Sequence, residues 1–165
     1  VGTTGGPRTD IDIGDTVVAT GAAKDEGTTK RYEAATVPAV PDYGTLSALV
    51  ESAEAREAPV HVGPIATDDA FYAETDAHVE AWSEAGLLCV EMEAAALLTL
   101  ASIYGLRAGA VCTAFANRAT GEFRTEGEGK AAEVASEAAV VLDGMDRVKR
   151  EAGVDHWHAG LSLDG

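Results

Sequence analysis

The run Leu87-Leu88-Cys89-Val90 is apolar throughout and passes without a break into Glu91-Met92-Glu93. A strand with no polar face has to be buried on both sides, which implies a sheet covered by helices above and below. The two carboxylates are then held at the edge of that sheet, where the next helix starts. A second apolar run, Ala108 to Phe115, repeats the constraint. Further strands are expected at 16–20 and 60–67. Helices are expected after an Asp42 N-cap, over 79–85 up to Gly86, from 93 to a stop at Gly105, and over 130–152. The expected fold class is α/β, with three layers (αβα) around a central mixed, largely parallel sheet. Residues 1–152 form one domain and 153–165 a C-terminal tail.

Finer expectations follow from spacing. Tyr43, Leu46, Leu49, Val50 and Ala53 mark the buried stripe of the first helix, which Pro59 ends. Met92, Ala96, Leu100 and Ile103 mark the core face of the third. Val134, Val141, Leu142, Met145 and Val148 mark that of the last. Pro64 puts its strand at a sheet edge or at a bulge. Residues 24–33 and 121–129 read as polar loops. Gly2-Thr3-Thr4-Gly5 reads as a tight turn at a strand end.

Charge removes several function classes. Twelve Lys and Arg stand against 28 Asp and Glu, a net −16, which argues against a grip on nucleic acid or on an anionic membrane. No apolar run is long enough for a membrane span, and no basic-then-apolar leader opens the sequence. Cys89 and Cys112 are too few for a disulfide framework, so buried thiols and a cytoplasmic location are expected. The acids are dispersed and Lys is scarce, a pattern suited to solubility in high salt, so a halophilic surface is expected.

In parallel sheets ligands sit at the carboxyl ends of strands, here the loops 2–6, 67–77, 91–93 and 115–122. Glu91 or Glu93 could act in two ways. An acid in a first helical turn stabilises that helix through its free N–H groups. A carboxylate also has two acceptor oxygens, which suit the two donors of a ribose diol. Thr3, Thr4 and Gly5 offer hydroxyls, N–H groups and close backbone approach, as an anion or ligand edge would need. Phe71, with Tyr72 beside it, could stack on a flat ring. Asn117 and Arg118 could offer an amide and a guanidinium to a base or an anion, or could simply sit in solvent. No grouping has metal-ligand spacing, and His156-x-His158 lies in the tail.

Six stretches together resemble the nucleoside phosphorylase family, and uridine phosphorylases most. They are Val1-Gly2-Thr3-Thr4-Gly5 with Ile13-Gly14-Asp15, Pro38 to Tyr43, Ala66 to Tyr72, Val90 to Leu97, Gly105 to Gly109, and Asn117-Arg118, in family order. The resemblance implies a phosphorylase/hydrolase-like fold and attack of inorganic phosphate on C1′ of a nucleoside, with uridine the expected substrate. Phosphate is then a co-substrate, and no cofactor is expected. By analogy Glu93 is the ribose-diol ligand and Met92 packs on the sugar. Thr3 contacts phosphate and ribose, while Thr4 and Gly5 wall the base site under Phe71. Asn117-Arg118 matches the loop beside the base, which here lacks the Asp that purine-cleaving relatives carry.

Two departures accompany the resemblance. Uridine phosphorylases place Gln-x-Arg shortly after Phe-Tyr to read the uracil edge, and here Ala73-Glu74-Thr75-Asp76-Ala77 stands there. The family's N-terminal part, with its phosphate loop and arginines, has no counterpart, so an N-terminally truncated copy of the domain is expected. The alternatives are a purine or methylthioadenosine-type phosphorylase or nucleosidase, and a truncated, non-catalytic nucleoside-binding domain. The family also implies a homo-oligomer, built on dimers and often hexameric.

Overall fold

A computed structural model describes residues 1–123 and 129–152. The expected tail and the larger part of the 121–129 loop lie outside the described residues. The strands are β1 (Gly2–Gly6), β2 (Thr16–Lys24), β3 (Val60–Thr67), β4 (Val90–Glu91), β5 (Val111–Asn117) and β6 (Glu122–Phe123). The helices are α1 (Tyr43–Glu54), α2 (Asp76–Glu84), α3 (Ala94–Ile103) and α4 (Gly129–Ala152). Single 3₁₀ turns occupy Thr29–Arg31 and Phe71–Ala73.

The sheet runs β1-β4-β3-β2-β5-β6, and β1 also pairs with β5. Five strands therefore close on themselves, with β6 added outside. β2 with β3, β3 with β4 and β1 with β5 are parallel; β1 with β4, β2 with β5 and β5 with β6 are antiparallel. The longest ladders are the parallel ones, as a largely parallel sheet requires.

Two apolar clusters give the layers. Val17, Ala19, Ile65, Cys89 and Ala114 pack with Ala94, Ala95 and Leu98 of α3. On the other face Val18 and Val111 pack with Ala48, Leu49 and Ala53 of α1 and with Ala131, Val134 and Ala138 of α4. Adjacent residues Val17 and Val18 thus serve opposite faces, as strand period demands. Both cysteines are free and buried. Burial pushes the Cys89 thiol well up and the Cys112 thiol up to about 12.

Several elements differ from the sequence expectation. Residues 2–5 are strand β1 rather than a turn, because parallel pairing from Gly2–Cys112 to Gly6–Asn117 holds them extended. That pairing is remote in sequence and leaves no local pattern. The strand expected at 87–90 is reduced to Val90–Glu91, since the Leu87 amide is held by the Trp82 carbonyl at the end of α2. The strand expected at 108–115 starts later, since the Ala108 carbonyl accepts from Asp42 N–H. β2 runs on to Lys24, paired with Thr67 at the end of β3. α2 begins earlier, at Asp76, where Thr75 N–H donates to His78 Nδ1 across the first turn (3.1 Å).

The α3 face is also different. Ala94, Ala95, Leu98, Thr99 and Ala101 are buried, while Met92 and Ile103 are exposed and Ala96 and Leu100 half-buried. This helix is apolar nearly all round, so apolar spacing alone does not choose its face. Tyr43 is exposed on α1, and that helix ends at Glu54, before Pro59. The Val148 side chain lies outside the described residues.

Other expectations hold. Asp42 caps α1, its Oδ1 accepting from Thr45 N–H (2.8 Å) and Thr45 O–H (2.9 Å). Gly86 and Gly105 sit just past α2 and α3 at φ 76° and 64°, the left-handed conformation that ends a helix at little cost for glycine. Pro64 lies on an interior strand opposite a register slip between Ala19 and Gly21, which is the bulge reading. Replacing Asp42 by Ala is expected to lower unfolding free energy by about 1 kcal/mol in urea titration. An unchanged midpoint would mean that the cap contributes nothing.

Candidate active site

The ends of β1, β4 and β5 and the 71–74 segment enclose a cleft of about 250 Å³. Thr3, Gly5, Phe71, Met92, Glu93 and Arg118 all line it, as the sequence led one to expect. They come from four separate stretches, which the closed sheet brings together.

The two carboxylates divide the two roles between them. Glu91 is buried, and its Oε2 accepts from the N–H groups of Glu93 (2.8 Å) and Ala94 (2.7 Å). Its Oε1 accepts from the Thr67 hydroxyl, and the Thr67 oxygen in turn accepts from Ala95 N–H (2.9 Å). Glu91 borders the cleft, but its Oε2 is held by the start of α3 and its Oε1 by Thr67 at the end of β3, so it acts as a positioning residue. Glu93, two residues on, is exposed at the N-cap position and makes no side-chain cap hydrogen bond. Its carboxylate has no hydrogen-bond or ion-pair partner among the described residues, and it faces the cleft.

The threonines divide in the same way. Thr3 lines the cleft, while Thr4 is turned inward and its hydroxyl donates to the Val90 carbonyl (2.6 Å). Thr4 therefore ties β1 to β4 instead of walling a base site. Once 2–6 is known to be a strand, this alternation is required.

Asn117 is likewise structural. It is buried, and its amide donates to the carbonyls of Arg8 (3.0 Å) and Ile11 (2.9 Å). Its side-chain oxygen accepts from Ala119 N–H (2.9 Å) and Thr120 N–H (3.0 Å). No capacity is left for a ligand, and the cleft wall does not include it. What it does is fix the turn that carries Arg118.

Arg118 sits at the centre of the far wall. Its stem packs on Gly5, where an added Cβ would come within 3.3 Å of Arg118 Cγ. Its guanidinium lies 5.4 Å from the centroid of the Phe71 ring. It is ion-paired with Oε2 of Glu74, whose side chain is only 3% exposed. Burial pushes the Glu74 carboxyl up from its ordinary value, and the Arg118 charge opposes the rise. Phe115 and Phe123 complete the wall, edge to face at 4.9 Å. Sequence reasoning missed Glu74, Val90, Phe115, Ala116 and Phe123 as lining residues. For Phe115 and Ala116 the signal was available, since they end a buried strand.

A wider, open groove lies beyond Arg118; its other cation, Arg8, is tied to Asp10 (2.7 Å). Among the described residues no group of three or more His, Cys, Asp or Glu could hold a metal ion. No helix of the described residues is long and apolar enough to cross a membrane. The His156-x-His158 pair lies outside the described residues.

The model of the Phosphorylase superfamily matches residues 1–145. The chain belongs to that family. A guanosine phosphorylase of Halorubrum lacusprofundi is 55% identical over 120 residues, covering 73% of this chain and 50% of its own length. A uridine phosphorylase of Thermococcus kodakarensis is 42% identical over 174 residues, covering 98% of this chain and 63% of its own length. A purine nucleoside phosphorylase of Colwellia psychrerythraea is 36% identical over 129 residues. The chain thus spans about half to two thirds of the length of these curated relatives. The family assignment and the α/β fold agree with the sequence resemblance, and the cleft lies on the stretches that carried it.

The divided roles of the two carboxylates are testable. Glu91→Ala leaves the buried Ala94 N–H, the part-buried Glu93 N–H and the buried Thr67 hydroxyl without their acceptor, so it should cost about 2–3 kcal/mol of stability. Glu93→Ala should change stability by less than about 0.5 kcal/mol. Equal losses in urea titration would contradict this division.

Proposed function

We propose that the whole protein of which this chain is at least a large part is a nucleoside phosphorylase, a pentosyltransferase. The observation that carries the proposal is the uncommitted Glu93 carboxylate facing a cleft with Thr3, Met92 and Phe71, in a member of the Phosphorylase superfamily.

Phosphate attacks C1′, the C1′–N bond breaks, and its electron pair leaves with the base, which takes up a proton. The products are ribose 1-phosphate and free base. Glu93 accepts hydrogen bonds from the 2′ and 3′ hydroxyls and so fixes the sugar. Its negative charge also favours the oxocarbenium character that develops as the glycosidic bond stretches. Met92 packs on the sugar, and Thr3 touches ribose and the incoming phosphate. Holding nucleophile and sugar in line removes the entropy of a bimolecular encounter. Phe71 and Phe115 offer apolar faces to the base, and Arg118 donates to its growing charge.

Two readings of the base have support. The motif resemblance favours uridine, and the Thermococcus relative bears that name. The Halorubrum relative is named for guanosine. The position of Glu74 favours the second, because a carboxylate accepts hydrogen bonds where Gln-x-Arg would both accept and donate.

Assembly is part of the same proposal. Leu97 and Ile103 on α3 and Tyr104 and Leu106 just past it are exposed apolar side chains, which supports a homo-oligomer of the family type. With −16 per chain, such an oligomer is expected to weaken as salt is removed.

Assay of uridine, guanosine, inosine and adenosine, each with and without inorganic phosphate, tests the activity. Phosphate-dependent release of base is the expected result. Release without phosphate would make the protein a nucleosidase, and no release from any nucleoside would leave only binding.

A further inference from the structure

We propose that Asp69 and Asp25, which do not line the cleft, are positioning residues that hold Phe71 at its wall. The loop after β2 clasps the Phe71 segment from both sides. The inference rests on the nucleoside reading of the cleft and names what sets one of its walls.

The segment that joins β3 to α2 has little of its own to fix it. Its 3₁₀ turn, Phe71–Ala73, contains no buried residue and has no side-chain cap hydrogen bond. Phe71 is 41% exposed and Tyr72 98%. A turn with so little burial takes its place from its ends. The far end is held at Glu74 by Arg118. At the near end the Asp69 carboxylate accepts from Gly27 N–H (2.9 Å). Asp25 N–H donates to the carbonyl of Thr67 (3.0 Å), the last residue of β3. Asp25 Oδ2 accepts from Trp82 Nε1–H (3.2 Å), and Trp82 is buried on α2. One loop therefore holds the residue before the segment, a residue near its start and the helix after it. Two of these bonds end on carboxylates, which makes them charge-assisted.

The loop itself is braced from within. Glu26, between Asp25 and Gly27, is buried. Its Oε2 accepts from Thr28 N–H and Thr29 N–H (2.9 Å), and its Oε1 from the Thr29 hydroxyl. Burial pushes the Glu26 carboxyl up, and the hydrogen bonds from Thr29 and Thr28 bring it below its ordinary value. This carboxylate closes the turn that aims Gly27 N–H at Asp69. Asp68 ties the same root to the site, since its N–H donates to the Glu91 carbonyl (3.0 Å) and its Oδ1 accepts from Ala70 N–H (3.1 Å). Phe71 follows Asp69 by two residues, and Ala70 between them is exposed. A shift at Asp69 is carried to the ring, with no buried side chain between them to absorb it. The ring then leaves its place 5.4 Å from the Arg118 guanidinium.

A double-mutant cycle between Asp69 and Phe71 tests this, read as uridine and guanosine affinity of the full-length protein by calorimetry. Asp69→Ala should weaken nucleoside binding roughly 3- to 10-fold, the worth of one hydrogen bond. In a Phe71→Ala background the same change should weaken it no further. Asp25→Ala should follow the same pattern. Asp69→Asn keeps an acceptor for Gly27 N–H and should restore most of the affinity. Additive losses in the cycle, or an Asn variant as weak as the Ala variant, would overturn the proposal. Hydrogen exchange without ligand gives a second readout. The Ala70 and Ala73 amides should exchange faster in Asp69→Ala than in the unaltered protein or in Asp69→Asn. Unchanged exchange there would defeat the clasp whether or not a nucleoside binds. Faster exchange in a protein that binds neither nucleoside would instead sink the nucleoside reading and leave the clasp standing.

Discussion

The buried carboxylate of Glu91 is the point on which the site depends. It ends the two-residue strand β4, accepts from the first amides of α3, and takes the hydroxyl of Thr67 at the end of β3. Three elements are thereby fixed to one side chain. A buried acceptor with all its donors in place stabilises the arrangement, and the same acceptor with donors missing would be costly. The helix N-terminus supplies positive potential to the same charge. The short chain between Glu91 and α3 then has no freedom to wander, and Glu93 is left projecting at a defined place in the cleft.

The same economy recurs around the cleft. Of each neighbouring pair, one residue is spent on structure so that the other can face the ligand. Thr4 ties β1 to β4 while Thr3 stays available. Asn117 spends its whole amide on the 117–121 turn while Arg118 reaches the far wall. These pairs sit at strand ends in a sheet closed on itself, and closure is what brings β1, β4 and β5 to one edge.

Much of this was legible in the sequence where the signal is local. Asp42 as an N-cap, the Gly86 and Gly105 stops, the strand over 60–67 and the bulge at Pro64 follow from turn chemistry and propensity. What escaped depends on contacts far apart in the chain. Gly2 to Gly6 has poor strand propensity, and only its pairing with β5 makes it a strand. The buried face of α3 is set by the anchor at its N-terminus, because nearly every side is apolar. Glu74 looked like a missing glutamine and arginine, and its meaning appears only when Arg118 is brought against it.

The ribose grip of Glu93 is the central claim, since the nucleoside reading stands on it. A double-mutant cycle tests it directly, comparing affinities for a ribonucleoside and its 2′,3′-dideoxy analogue in the unaltered protein and in Glu93→Ala. Removing either the diol or the carboxylate should cost affinity, and removing both should cost little more than one, with a coupling of about 1.5–3 kcal/mol. Independent, additive losses would contradict a contact between Glu93 and the sugar hydroxyls.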